Sequence, residues 1–181
     1  MENAKRIAAV DEITEIRGVL NGTCNYILTK MEEGMSYEDA LSLARREGFA
    51  EEDPTDDVGG FDTMRKIRIL ATVLTGRKVS EESIDVSGIE DITPEMMEEA
   101  SFSGRRYRLI GSAIRENDEI RCRVEADSVD VNSPEGSLKG SENVITLKGK
   151  NCGLLVYKGM GAGKRPTAFS LLSDLLSMYE F

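Results

Sequence analysis

The chain has 181 residues, 40% of them hydrophobic, enough to bury a core in one large or two small domains, and we take one. Its 33 acidic residues outweigh 23 basic ones for a formal charge of −10, a field that repels phosphate backbones and anionic lipid headgroups unless a local basic patch intervenes. The complete lack of histidine excludes Ser-His and Cys-His nucleophile pairs and His-bearing zinc helices, and leaves any proton transfer to Lys, Tyr, Asp or Glu.

Residues 3–12 read as the tail of a helix, without the positive-then-apolar order of a signal peptide. Glu15–Leu20 reads as a strand with Ile16, Val19 and Leu20 apolar. Asn21-Gly22-Thr23 is a turn in which Thr23 is placed as the N-cap of a helix carrying Tyr26, Ile27 and Met31 and stopped by Gly34. Ser36-Tyr37-Glu38-Asp39 resembles a capping box with Asp in place of Glu, and opens a second helix that buries Ala40, Leu41, Leu43 and Ala44 and ends at Gly48.

The stretch from Gly48 to Lys66 gathers Glu51, Glu52, Asp53, Asp56, Asp57 and Asp62 around Pro54 and Gly59-Gly60. A third helix follows, about Phe61 to Leu74, with Met64, Ile67, Leu70, Ala71 and Leu74 facing inward. Carboxylates this close repel one another, so something cationic is expected among them. Asp62 and Lys66 stand i, i+4, on one helix face with about 5–6 Å between Cβ atoms, so one acid can hold and polarise one ammonium. On spacing alone, a solvated acidic loop followed by an ordinary surface ion pair explains the same residues and is the commoner arrangement.

Thr93-Pro94 marks the start of a short helix to about Phe102, with Glu95, Glu98 and Glu99 near its positive end. After Gly104 the period changes from helical to alternating. Arg106–Ile114 and Glu119–Ala126 form a hairpin around Glu116-Asn117-Asp118, and Asn143–Leu147 and Leu154–Tyr157 flank Gly149–Gly153 in the same way. Arg105, Arg106 and Arg108, the best candidate for a basic patch, read as the outer face of a strand. Gly159-Met160-Gly161-Ala162-Gly163 then leads through Pro166-Thr167 into a last helix carrying Phe169, Leu171, Leu172, Leu175 and Met178. That glycine spacing fits neither the dinucleotide fingerprint nor a P-loop, so by motif alone it is a flexible strand-to-helix turn.

Cys24, Cys122 and Cys152 are odd in number and far apart, and read as buried thiols, not as a disulfide framework or a zinc site. No apolar run approaches the roughly 18 residues of a membrane span, so a soluble, cytoplasmic protein with neither membrane nor nucleic-acid partners is expected. Helices first and strands after predict an α+β fold: a mixed, mostly antiparallel sheet of about five strands with helices packed on one face, not a doubly wound parallel sheet.

Three segments, in order, resemble the catalytic domain of homoserine dehydrogenase, and with weaker matches at Ile92-Thr93-Pro94, Gly140 and Asn143 the likeness covers nearly the whole chain. The first is Gly18 to Leu28 followed by Lys30-Met31. The second is Gly48 to Lys66, where that family reads G-Y-A-E-x-D-P-T-x-D-V-x-G-x-D followed three residues on by R-K. The third is Gly159 to Thr167, matching G-x-G-A-G-x-x-P-T-A.

The resemblance implies an NAD- or NADP-dependent oxidoreductase interconverting L-homoserine and L-aspartate 4-semialdehyde, on the route to threonine, methionine and isoleucine. It implies Lys66 as the acid/base at the reacting oxygen, Asp62 as the residue orienting it, and Glu51 as the group that binds the substrate ammonium. Asp57 and Thr23 belong to the same pocket, as does Phe49, which stands where the family usually has Tyr. Gly161, Ala162 and Gly163 fall on the cofactor side, and a homodimer is implied. The family's enzyme begins with a nucleotide-binding domain whose motifs are not found in these residues, so about 159–181 is expected to pack on it and the chain alone to be inactive. A non-catalytic amino-acid-binding or dimerisation module derived from that domain is the other reading of the same residues.

Overall fold

The protein is described here by a computed structural model covering residues 2–161 and 163–179. In chain order it runs α1 (Glu2–Ala8), β1 (Ile13–Val19), α2 (Gly22–Glu32), α3 (Tyr37–Arg46), α4 (Thr55–Val58), α5 (Phe61–Thr75), β2 (Asp85–Val86), α6 (Pro94–Phe102), β3 (Arg105–Glu116), β4 (Glu119–Asp130), β5 (Glu142–Gly149), β6 (Gly153–Met160) and α7 (Lys164–Ser177). The α+β class and the two hairpins are as expected. The acidic loop contains the short helix α4, and the sheet holds a sixth strand: β2 is two residues long, too short to show any period in the sequence.

The strand order is β2-β4-β3-β1-β5-β6. Among the described residues only β2, lying along β4, is parallel, and the other pairings are antiparallel. The turn between β3 and β4 uses Asn117 at φ 57, a left-handed conformation that Asn tolerates better than most side chains.

The strand nearest the N-terminus sits in the middle because it has apolar residues for both faces. Ile16 of β1 meets Ala113 and Leu147 in register, and with Leu109 and Val124 these side chains form the floor on which α2, α5 and α6 pack. Val19, on the opposite pleat, joins Ile110, Val129 and Val144 under Leu138 from the connection between β4 and β5. Beside this small cluster the second face carries an ion-pair group: Arg17 pairs with Asp127 at 2.9 Å and with Glu135 at 3.7 Å. Among the described residues no helix is long and apolar enough to cross a membrane.

Three expectations are corrected. Arg108 is not on an outer face but wholly enclosed, its Nη1 donating to Glu32 Oε1 and to the Tyr107 carbonyl at 2.7 Å each, because the end of α2 lies over it. Burial pulls its pKa below the ordinary value and the Glu32 charge opposes that pull. Cys24 and Cys122 are buried, but Cys152 is exposed in the turn between β5 and β6, where Asp11 accepts its backbone N–H. The cap of α2 is Asn21, not Thr23: Asn21 Oδ1 accepts the Cys24 N–H at 2.9 Å.

Candidate active site

The acidic stretch is folded by a glycine. Gly60 stands at φ 86, between α4 and α5, and an added Cβ would lie 3.2 Å from the Ser87 carbonyl oxygen and 3.1 Å from a Val124 methyl. This left-handed corner lets α5 start immediately after α4, so Asp57 of the first helix and Asp62 in the first turn of the second converge on the end of β1.

What they converge on is Asn21. Its Nδ2 donates to Asp57 Oδ1 at 2.6 Å and to Asp62 Oδ2 at 2.8 Å. The same Asp62 oxygen accepts Lys66 Nζ at 2.7 Å, and Lys66 Nζ also donates to the Leu20 carbonyl at 3.0 Å. The i, i+4 pair expected from spacing is therefore formed, and it belongs to a network that crosses three elements. The Cys24 thiol, pushed up in pKa by burial and further by the Asp57 and Asp62 charges, stays neutral and donates to the Asp57 carbonyl at 3.1 Å.

The remaining acids divide into two sets. Thr55 donates its N–H and hydroxyl to Asp53, and Arg65 donates to Asp56; these partners hold both carboxyls below the usual range. The cations expected among the acids are thus, in part, Arg65 and Lys66 of α5. Glu51 and Glu52 are exposed and carry no ion pair among the described residues. Thr23 Oγ1 donates to the Phe49 carbonyl at 2.7 Å, which ties α2 to the start of the acidic stretch. The Phe49 ring stacks on Tyr26 with centroids 4.3 Å apart, and burial together with the bond to Glu47 pushes the Tyr26 hydroxyl up to about 12.

Lys66 lies on the wall of a groove of about 590 Å³ bounded by Leu20, Ile69, Asn143, Tyr157, Gly159 and Gly161. The floor is set by Asn143, whose Nδ2 donates to the Leu20 carbonyl at 3.1 Å, so Lys66 and Asn143 share one acceptor. Gly161 crosses directly over this amide: an added Cβ would come within 2.1 Å of Asn143 Nδ2. The close approach gives Gly161 a reason within the chain for having no side chain. Gly163, at φ 116, precedes α7, and Ala162 lies outside the described residues.

The structure thus joins Asp57, Asp62 and Lys66 in one network, links Thr23 to Phe49, and puts Gly161 and Lys66 on the lining of one groove. Asn21 and Asn143, which organise that network, are not among the site residues expected from the sequence: Asn21 stands there only as the first residue of the Asn-Gly-Thr turn, and Asn143 only as a weak match to the family.

A family model described as homoserine dehydrogenase matches residues 1–176. A homoserine dehydrogenase of Methanocaldococcus jannaschii is 44% identical over 178 residues, which is 98% of this chain and 52% of that protein. An NAD(+)-dependent homoserine dehydrogenase of Pseudomonas canavaninivorans is 36% identical over 178 residues, covering 98% of this chain and 51% of its own length. Among solved structures, the putative homoserine dehydrogenase of Archaeoglobus fulgidus superposes with a TM-score of 0.91 at 40% identity, over 98% of this chain and 54% of that one. The chain spans about half the length of the curated relatives it matches.

Proposed function

The chain belongs to the homoserine dehydrogenase family, and from that premise we propose that it is the part of such an enzyme that binds L-homoserine or L-aspartate 4-semialdehyde and supplies the acid/base for their interconversion. The observation that carries this reading is the Lys66 ammonium, held by Asp62 and the Leu20 carbonyl on the wall of a groove of ligand size.

In the oxidising direction Lys66, as the free amine, takes the proton from the substrate hydroxyl; in the reducing direction the ammonium gives that proton to the developing alkoxide. Asp62 orients Lys66 in both. Glu51, exposed and without a cationic partner among the described residues, is the acid we assign to the substrate ammonium, with Asp57, Thr23 and Phe49 completing the pocket. Gly159 borders the groove, and a Cβ added there would meet nothing within 4 Å. NAD or NADP would supply the hydride acceptor or donor, with Gly161, Ala162 and Gly163 assigned to its site and a nucleotide-binding domain assigned to hold most of it.

The same reading gives α7 a role. Phe169, Leu171 and Leu172 are 74%, 67% and 60% exposed, apolar area suited to packing against that nucleotide-binding domain. We also assign the protein to a cytoplasmic homodimer in threonine, methionine and isoleucine biosynthesis. The decisive experiment joins this chain to a nucleotide-binding domain of the family and follows NAD(P)-linked oxidation of homoserine. Lys66→Met is expected to lower turnover by about 10²–10⁴-fold. An active parent whose Lys66→Met variant keeps more than about a tenth of the rate, far short of that loss, overturns the assignment of Lys66.

A further inference from the structure

We propose that Asn21 is a positioning residue of this site: its side-chain amide sets the Asp57 and Asp62 carboxylates side by side and thereby fixes the oxygen that orients Lys66. The proposal rests on the reading of Lys66 and Asp62 as the acid/base pair.

Asn21 is 3% exposed, and each polar atom of its side chain is used. Oδ1 accepts the Cys24 N–H at 2.9 Å, which caps α2. Nδ2 serves two different carboxylates, Asp57 Oδ1 at 2.6 Å and Asp62 Oδ2 at 2.8 Å. The cap by itself does not require Asn, since Ser, Thr and Asp cap a helix about as well. None of those can also offer two N–H donors to two anions. Asp would add a third negative charge, and Ser or Thr has a single hydroxyl hydrogen. A Lys or Arg would satisfy both acids but would compete with Lys66 for Asp62. A neutral amide with one acceptor and two donors is what this position needs, and it leaves the charge of the site unchanged.

The consequence reaches Lys66 through a single atom. Asp62 Oδ2 accepts both Asn21 Nδ2 and Lys66 Nζ, the latter at 2.7 Å, so the amide immobilises the oxygen on which the ammonium is hung. Lys66 and Asp62 are 47% and 29% exposed in their side chains, so burial alone does not hold this pair in one geometry. Without the amide, two neighbouring carboxylates repel and Asp62 is free to rotate away from the groove.

Asn21→Ser and Asn21→Thr test this, because each keeps an oxygen for the Cys24 N–H. In the present chain, the thermal midpoint is expected to stay near that of the parent. The NMR signal of the Lys66 ammonium, sharp while its protons are held, is expected to broaden by exchange with water. In the parent, both Asn21 side-chain amide protons are expected to shift when Asp57→Asn or Asp62→Asn is introduced, a measurement that stands if neither Asn21 variant folds. In the chain joined to a nucleotide-binding domain, kcat is expected to fall about 10²-fold, the loss typical of a reacting group misplaced by about 1 Å. A folded Asn21→Ser protein with an unchanged Lys66 signal and unchanged kcat overturns the proposal, as do Asn21 amide protons indifferent to both acids. A joined parent that fails to oxidise homoserine while the Lys66 signal still depends on Asn21 sinks the dehydrogenase reading and leaves the positioning intact.

Discussion

Glu32 Oε1 and Arg108 Nη1 meet at 2.7 Å where the end of α2 covers β3, with the Arg108 side chain fully enclosed and Glu32 22% exposed. The two partners are therefore not equivalent. Glu32 faces solvent on one side and has Arg106 as a second cation at 3.8 Å, whereas two nitrogens of the enclosed guanidinium have no hydrogen-bond partner among the described residues. Removing the acid strands a buried cation, while removing Arg108 leaves an acid that water and Arg106 still serve. We expect Glu32→Gln to cost about 3 kcal/mol, the lower end for breaking a buried pair, and Arg108→Met to cost clearly less. Urea denaturation of both variants checks the order; equal losses would mean that the pair is not asymmetric.

A second prediction concerns the substrate ammonium. Glu51 is exposed and has no ion pair among the described residues, so Glu51→Gln leaves the ligand-free thermal midpoint unchanged. L-Homoserine raises the midpoint of the parent chain weakly, with a millimolar affinity of about −4 kcal/mol, and this shift disappears in Glu51→Gln. Protection that survives the substitution would move the ammonium site elsewhere.

The turn between β5 and β6 should be sensitive to acid. Asp11 accepts the backbone N–H groups of Asn151 and Cys152 and the Asn151 side-chain amide, and the Cys152 N–H above all holds its carboxyl well below the ordinary 3.8. A carboxyl depressed in the folded state contributes stability that is present above its unfolded value and lost as the pH falls through its folded one. Asp11→Ala should therefore destabilise the chain near neutral pH, and its difference from the parent should shrink as the pH falls below 3.8. A difference independent of pH would show that the contribution of Asp11 is not ionic.

Assembly can be tested on the chain as it stands. The strand β6 forms one edge of the sheet and exposes Leu154 and Val156 at 60% and 47%. An exposed apolar edge seeks a partner strand or surface. Light scattering at tens of micromolar is expected to show a dimer; only monomer there, an affinity weaker than roughly −6 to −7 kcal/mol, would remove the homodimer from the proposed function.

What the sequence determined by itself is what nearest neighbours along the chain decide. The limits of α5, the capping of α3 by Ser36, the Thr93-Pro94 start of α6 and the two hairpins rest on periodicity and turn chemistry, which act over a few residues. The Asp62–Lys66 pair was legible for the same reason, since it spans one helical turn. Only the tertiary structure decided between Asn21 and Thr23 as the cap of α2. Both residue types suit that role, and the choice falls to Asn21 because it is also anchored to Asp57 and Asp62, 36 and 41 residues away in sequence. Alternation placed Arg108 on one face of a strand but could not say that Glu32, 76 residues earlier, would cover it. The neighbours of Lys66 were equally out of reach: Leu20 lies 46 residues from it, and Asn143 lies 123 residues beyond Leu20, so no local pattern marks the carbonyl they share. Side-chain amides joining distant segments leave no period in a sequence, because their partners are chosen by the fold and not by spacing.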